Sequence, residues 1–215
     1  MKATWLGGAS ILLENDKITV LVDPALNGSA ASAFDNIEPD VIVLTHTHPD
    51  HLDTAVLSKF LGRDKDVTVL ASEGAYLSIL DIAGADNPVL LSPHSVYSEC
   101  GITFYSVKAE HIDRTAIGVI VDDGEKTYYI SGDTLYNFDV IDDVLDLAPD
   151  GVDYAFLPIN GRRGNMNAKD AADFAYEISA GKAIPIHYSP DELDPREFDF
   201  EDALVLVRGV TVKLD

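Results

Sequence analysis

The chain contains the stretch Val41-Ile42-Val43-Leu44-Thr45-His46-Thr47-His48-Pro49-Asp50-His51, in which an apolar run leads into three histidines and a carboxylate. A short apolar run of this kind is typical of a buried strand. Imidazole and carboxylate groups are common metal ligands, and half of the six histidines of the chain fall within residues 46–51. At this spacing the side chains can face more than one metal ion, which favours a metal-dependent enzyme.

The segment after the histidines has the pattern of an amphipathic helix. Asp53 or Thr54 can cap its start, and Gly62 can end it. The apolar residues on one face of this helix are Val56, Leu57, Phe60 and Leu61. The histidine cluster is therefore predicted to occupy a strand-to-helix loop, where a rigid base can hold ligands while substrate enters.

The remaining pattern predicts an α/β protein. Further strands are predicted over residues 3–6, 11–13, 18–22, 67–70, 102–107, 116–121, 127–130, 153–157 and 183–186. Helices are predicted over 74–82 and after Asn167, where Ala171, Phe174, Ala175 and Ile178 share a face that Gly181 closes. Two β-rich halves, each followed by helices, suggest two sheets between helical layers. No linker or repeat divides the chain, so residues 1–215 are expected to form a single domain.

The composition restricts the partners. The chain has 37 acidic residues against 15 Lys and Arg, a net charge of -22, which disfavours nucleic acid and anionic membrane surfaces as partners. The lone Cys100 cannot form an intramolecular disulfide, and we assign it no role. The start has no signal-peptide pattern, and no apolar run approaches the ~20 residues that cross a bilayer, so a cytoplasmic protein without integral membrane association is expected.

Three further residues are candidate metal ligands because each follows an apolar, strand-like run: His111, Asp133 and His187. Taken singly, each histidine could be an exposed residue at a strand end, and Asp133 could belong to a turn with a helix cap. A site for two metal ions needs more ligands than residues 46–51 supply, which favours all three as ligands. His94 lies in a turn-like segment and is interpreted as a surface residue.

These motifs resemble those of the metallo-β-lactamase fold superfamily: the His-x-His-x-Asp-His cluster, His111, Ser131-Gly132-Asp133 and Ile184-Pro185-Ile186-His187-Tyr188. Trp5-Leu6-Gly7, Val22-Asp23-Pro24 and residues 160–167 are similar to the UlaG-like branch of metal-dependent hydrolases, which includes L-ascorbate-6-phosphate lactonase. One departure is Gly8, because relatives commonly carry histidine there.

The resemblance implies an αββα sandwich, with two mixed sheets flanked by helices, and two divalent metal ions. Zn or Mn is expected, and Fe also suits the ligands. By motif position, one metal would be bound by His46, His48 and His111, and the other by Asp50, His51 and His187. Asp133 would bridge the two. Asp50 would also be catalytic, orienting a hydroxide or accepting a proton.

The implied reaction is hydrolysis of a small-molecule ester, with a phosphorylated sugar lactone as the suggested substrate. Asn160, Arg162 and Arg163 are candidate substrate-binding residues, although the arginines could instead pair with acidic neighbours. Tyr188 could line the pocket or pack in the core.

One alternative function is that of a phosphodiesterase acting on a lipid or a cyclic nucleotide. Another is a catalytically silent metal-binding or sensing protein. A nuclease is disfavoured by the charge, and a penicillin-destroying enzyme by the expected location. The sequence leaves open whether the chain forms a homo-oligomer.

Overall fold

The computed structural model describes residues 1–26, 31–62, 66–82 and 84–215. It divides into two compact units, one of residues 1–92 and 207–215 and the other of residues 93–206. The strands are β1 Lys2–Gly7, β2 Ser10–Glu14, β3 Thr19–Val22, β4 Val41–Leu44, β5 Thr68–Ser72, β6 Val89–Leu91, β7 Val96–Glu99, β8 Ile102–Lys108, β9 Ile117–Asp122, β10 Thr127–Ile130, β11 Tyr154–Pro158, β12 Lys182–Ile186 and β13 Thr211–Lys213. The α-helices are α1 Thr54–Leu61, α2 Glu73–Ile79, α3 Phe138–Leu147 and α4 Ala168–Glu177, and 3₁₀ turns cover Ala31–Phe34 and Pro195–Glu197.

The first unit is built on a mixed seven-stranded sheet in the order β13-β1-β2-β3-β4-β5-β6. Strands β13 to β3 are antiparallel neighbours, and β3 to β6 run parallel. The turn between β2 and β3 forms because the Asn15 side chain accepts hydrogen bonds from the amides of Lys17 and Ile18. Since β3 and β4 are parallel, the residues after each strand emerge at one edge of the sheet.

Helix α1 forms where the sequence predicts it. The Asp53 side chain caps its first turn by accepting from the amides of Ala55 and Val56, and Gly62 ends it. Its buried face carries the four predicted apolar residues, which join Leu21, Ile42 and Leu44 of the sheet in one core. This packing fixes the loop that connects β4 to α1.

The second unit is built on a mixed six-stranded sheet in the order β12-β11-β10-β9-β8-β7. Strands β10, β11 and β12 are parallel, and β7 to β10 are antiparallel neighbours. Asn137 caps α3 and Asn167 caps α4, each through its side-chain oxygen. The buried face of α4 contains Phe174, whose ring stacks on Tyr129 of β10.

The expected α/β fold with two mixed sheets flanked by helices is therefore confirmed. Two predicted helices are shorter than expected. Helix α2 ends at Ile79, after which the Ile82 amide donates to the Ile79 carbonyl in a turn. Helix α4 ends at Glu177, before Gly181, because Ser179 adopts a left-handed backbone conformation with φ 51°.

The sequence patterns missed β6, β7, α3 and β13. Among the helices in the described part of the chain, none is both long and apolar enough to cross a bilayer. The single-domain expectation for residues 1–215 stays a prediction.

Candidate metal centre

In the first unit, two neighbouring parallel strands bring Asp23 against the start of the histidine loop. Asp23 follows β3 and donates its amide to the carbonyl of Val43 in β4 at 2.9 Å. Its backbone is left-handed, with φ 46°, which is uncommon for a residue other than glycine and turns the chain sharply at the strand end. The Asp23 side chain then accepts the amide of Thr45 at 2.8 Å.

The Asp23 carboxylate also orients His51. It is only 1% exposed, and it accepts the Thr45 hydroxyl at 2.6 Å and lies 2.7 Å from Nδ1 of His51. Because a carboxylate can only accept, Nδ1 of His51 carries the proton and Nε2 keeps its lone pair. A histidine held in this way by a carboxylate is a common metal ligand, and its partner raises the basicity of Nε2.

His46 and His48 present a pair of ring nitrogens on the same loop. Nε2 of His46 lies 3.1 Å from Nδ1 of His48, and Nδ1 of His46 lies 3.1 Å from the Thr45 hydroxyl oxygen. The Thr45 hydroxyl already donates to Asp23, so its oxygen accepts the Nδ1 proton of His46. Two nitrogens each about 2.0–2.1 Å from one zinc ion cannot lie more than ~4.2 Å apart, and 3.1 Å satisfies this limit.

Asp50 lies on the same turn, half-buried, and offers a carboxylate oxygen within 4.8 Å of a ring nitrogen of His51. The turn is closed by the amide of His51, which donates to the carbonyl of His48 at 2.9 Å. The first unit therefore places all four predicted ligands of residues 46–51 together.

In the second unit, the parallel strands β10, β11 and β12 end at one sheet edge. Beyond their ends lie Asp133, Asn160 and His187. The amide of Ser131 donates to Phe156, and that of Ile159 donates to Ile186, so the pairing continues to the point where the polar residues begin. Carboxyl ends of parallel strands are a common place for functional groups.

Asp133 stands between two imidazoles. It is 3% exposed, its Oδ2 lies 3.9 Å from Nε2 of His111, and its Oδ1 lies 3.4 Å from Nε2 of His187. Each carboxylate oxygen thus faces a different histidine. Asp133 can therefore offer a carboxylate oxygen beside either imidazole.

A loop of residues 160–167, which we call the clasp, contacts the two candidate ligand histidines of this unit. Its ends form a bridge between Asn160 and Asn167, and the amide of Gly161 donates to Met166 at 2.9 Å. The amide of Met166 donates in turn to the carbonyl of Thr134, the residue after Asp133, at 3.0 Å. The clasp is therefore tied to the segment that carries Asp133.

The clasp also sets the tautomer of His111. Nδ1 of His111 lies 3.1 Å from the carbonyl oxygen of Gly164, and since a carbonyl only accepts, Nδ1 is the donor and Nε2 keeps its lone pair. A side chain at position 164 would not fit, because a Cβ there would lie 3.0 Å from that Nδ1, and φ is +88°. Sequence reasoning missed this contact, since it is made by a backbone atom.

The predicted substrate-binding residues have different surroundings. The Asn160 amide lies 2.9 Å from Nδ1 of His187. Arg162 is exposed and pairs with Glu192 at 3.0 Å, as the alternative interpretation anticipated, and Arg163 is exposed with a left-handed φ of 53°. Tyr188 is buried, and this burial, followed by the charge of Asp194, raises the pKa of its hydroxyl.

Gly8 and His94, which are not candidate metal ligands, each make a defined polar contact. Gly8 lies in the turn after β1, and its carbonyl accepts the indole N–H of Trp5 at 2.9 Å. His94 is exposed as expected, and its Nε2 pairs with Asp143 of α3 at 2.9 Å.

The candidate His and Asp side chains have the chemistry that metal binding needs. Within each unit, imidazoles whose Nδ1 is engaged by a protein acceptor keep Nε2 for a cation, and carboxylates stand beside them. Such His and Asp groups are able to bind metal ions. Their spacing can support hydrolytic chemistry that depends on a cation.

Comparison with known proteins gives one family. The family profile described as the beta-lactamase superfamily domain matches residues 19–188. The chain is 32% identical over 226 residues to the UPF0173 metal-dependent hydrolase MK1542 of Methanopyrus kandleri, with 94% of this chain and 91% of that protein covered.

Two solved structures have the same fold. Igni18, a metallo hydrolase from Ignicoccus hospitalis, has a TM-score of 0.80 at 22% identity, covering 100% of this chain and 99% of that one. The metallo-β-lactamase fold protein YhfI of Bacillus subtilis has a TM-score of 0.79 at 18% identity, covering 99% of each chain. The chain therefore has the metallo-β-lactamase fold.

Proposed function

Since this chain belongs to the beta-lactamase superfamily domain family, we propose that it is a hydrolase of small-molecule carbonyl esters, with a phosphorylated sugar lactone as its substrate. The coarser activity, metal-dependent hydrolysis, follows from the family and from relatives that carry that name. The lactone rests on the resemblance of the motifs to the UlaG-like branch. One observation supports a two-metal centre above all: the two oxygens of Asp133 face the imidazoles of His111 and His187 separately.

We further propose that the donors of both units are ligands of the same two divalent cations. One cation would be held by His46, His48 and His111, the other by Asp50, His51 and His187, with Asp133 shared between them. The support is the donor chemistry, because His51 and His111 each have Nδ1 hydrogen-bonded to an acceptor, which places the imidazole lone pair on Nε2. Zn or Mn is the proposed metal, since His and Asp ligands suit both, and Fe is compatible.

Divalent cations at this site would supply hydroxide near neutral pH by lowering the pKa of water, and they would polarise the ester carbonyl. The protein groups would then manage protons and orientation. Asp50, half-buried beside His51, would accept a proton from the attacking water. Water adds to the acyl carbon, the ring C–O bond breaks, and the ring oxygen leaves as a hydroxyl group once protonated. The product is a hydroxy acid.

Arg162 and Arg163 would bind the anionic end of the substrate. The chain carries a net charge of -22, so an anionic substrate needs local positive charge. The pair between Arg162 and Glu192 is exposed on both sides, and a surface ion pair of this kind is weak enough for a phosphate group to replace the carboxylate.

A substrate panel tests this proposal. The protein, loaded with Zn or Mn, is assayed against sugar lactones with and without a phosphate group and against phosphodiesters. We expect ring opening of lactones, and Asp50→Ala should abolish turnover while the exposed Asp150→Ala, a matched control, leaves it unchanged. Hydrolysis of phosphodiesters without hydrolysis of lactones would support the phosphodiesterase alternative instead. Metal binding without turnover of either class would favour the silent metal-binding protein.

A further inference from the structure

The Nδ1 partners of His51, His111 and His187 differ in chemistry. The carboxylate of Asp23 and the carbonyl of Gly164 can only accept hydrogen bonds, so they hold His51 and His111 in one tautomer. The partner of His187 is the side-chain amide of Asn160, at 2.9 Å. An amide has both an acceptor and a donor end, so it can satisfy either tautomer of an imidazole.

The orientation of the Asn160 amide decides what His187 can bind. The amide nitrogen faces Nδ1 of His187, while its oxygen accepts the amide of Arg162 at 3.3 Å. In this orientation Nδ1 accepts, the proton lies on Nε2, and Nε2 points at Asp133 at 3.4 Å. A protonated Nε2 has no lone pair for a cation.

Metal binding through Nε2 of His187 therefore requires the amide of Asn160 to turn. The oxygen would then accept the Nδ1 proton, and the amide nitrogen would face the backbone N–H of Arg162, which breaks the 3.3 Å hydrogen bond. His51 and His111 need no such change, since acceptors at Nδ1 already place the proton there and the lone pair on Nε2.

We propose that Asn160 is a positioning residue whose amide sets the affinity of the metal position served by His187 and makes it the weaker of the two. The inference rests on the proposed two-metal centre and adds to it a functional difference between the positions. The clasp contacts both candidate ligand imidazoles of the second unit, but it holds His111 in a binding tautomer and His187 in one that must change. Metal should therefore be lost first from the His187 position and should bind there last.

The experiment compares Asn160→Asp with Asn160→Leu. Aspartate accepts the Nδ1 proton without turning and keeps an oxygen for the Arg162 amide, so the weaker metal affinity should rise by about three- to tenfold. Leucine offers no acceptor, and the same affinity should fall by about 10- to 100-fold. The measurement is a titration of the metal-free protein with Zn²⁺ against a competing chelator, with ring ¹⁵N NMR of His187 before and after loading.

A control separates tautomer control from charge. Asn137→Asp adds the same negative charge to the second unit outside the clasp, and aspartate still caps α3, so metal affinity should stay within about twofold of wild type. On loading, the NMR signals of His187 should change from the Nε2-protonated to the Nδ1-protonated form.

Several results would overturn the inference. If both Asn160 variants lower the affinity and the melting temperature alike, the amide has a merely structural role. The inference also fails if wild type binds two ions and neither variant changes the weaker affinity, although the proposed function survives. A wild type that binds fewer than two ions removes the two-metal proposal itself.

Discussion

Replacement of Asp23 by asparagine should impair the metal position of His51. The carboxylate is 1% exposed and accepts from the Thr45 amide, the Thr45 hydroxyl and Nδ1 of His51 at 2.6–2.8 Å. Asparagine has the same shape, but its NH₂ group would face one of these donors. His51 could then keep a hydrogen bond only by moving its proton to Nε2, which removes the lone pair that binds metal.

The magnitude follows from these contacts. Loss of a partner that orients a ligand histidine costs about 10- to 100-fold in metal affinity, or ~1.4–2.7 kcal/mol. A buried donor left without an acceptor costs a further 1–3 kcal/mol or so of folding free energy. Asp23→Asn should therefore bind its weakest Zn²⁺ at least tenfold less tightly, and its metal-free form should unfold at lower urea concentration.

The assay is competition with a chelator, paired with urea unfolding of the metal-free protein. Asp40→Asn is a matched control in the same unit, because the Asp40 carboxylate accepts the backbone amide of Thr19 at 2.7 Å and precedes β4, whereas residues 46–51 follow that strand. This control should lower stability without changing metal affinity. If Asp23→Asn binds metal as wild type does and is merely less stable, the carboxylate does not act through His51.

Three further predictions concern the clasp and the core of the second unit. Gly164→Ala should weaken metal binding at least tenfold, because the added Cβ would displace the imidazole of His111. Gly124→Ala is the control, because Gly124 has a similar φ of +84° but a Cβ there would meet no atom within 4 Å. It should cost only about 1 kcal/mol of stability. Asp153→Asn should destabilise the protein at neutral pH. Burial raises the pKa of this carboxyl group, but hydrogen bonds from Thr127 and Lys126 outweigh burial and lower the pKa overall. The stabilisation by the charged carboxylate is therefore present above the unfolded pKa and is lost as pH falls through the folded pKa. Urea unfolding of variant and wild type across pH should show that their difference in stability vanishes in acid. Tyr129→Phe should raise the melting temperature, because the buried hydroxyl of Tyr129 has no hydrogen-bond partner among the residues that the structure describes. Tyr128→Phe should lower it, because the Tyr128 hydroxyl donates to the Asp123 carboxylate.

Each of these predictions has a contradicting result. Equal metal affinity in the two glycine variants would mean that the clasp does not position the imidazole. A stability difference for Asp153→Asn that persists below the folded pKa would exclude the charge as its cause. A destabilised Tyr129→Phe would indicate that the hydroxyl has a partner, such as a buried water.

The sequence predicts the parts of this protein that depend on local pattern. Strand β4 was expected at Val41–Leu44 and lies there, because four apolar residues end at a polar cluster. Helix α1 was expected from its cap at Asp53 and its apolar face, and both are present. The position of the ligand histidines within their loop follows from these two elements.

Helix α3 and strand β7 were not predicted because the tertiary structure buries and exposes residues that do not follow a clear apolar period. Helix α3 places Phe138 in solvent, 65% exposed, and buries the carboxylate of Asp143, which accepts the Lys108 amide at 2.6 Å. A charged residue on the inner face and an aromatic on the outer face obscure the helical period. Strand β7 alternates between exposed and half-buried residues, so its apolar signal is weak.

The contacts that orient the ligands could not be predicted from the sequence. Asp23 lies 28 positions before His51, and Gly164 lies 53 positions after His111. Such pairs form because distant strand ends meet at one sheet edge. A backbone carbonyl has no residue-specific signal at all. The role of Asn160 was likewise expected at the substrate, whereas its amide lies against His187.

The central claim is the proposed two-metal centre, and elemental analysis of metal per chain tests it most directly. Protein purified without chelator and reconstituted with Zn or Mn should contain about two ions per chain, and His187→Leu, which removes a ligand of one position only, should contain about one. Wild type with no bound metal after reconstitution would contradict the account. So would two ions retained in His187→Leu, since His187 would then not be a ligand.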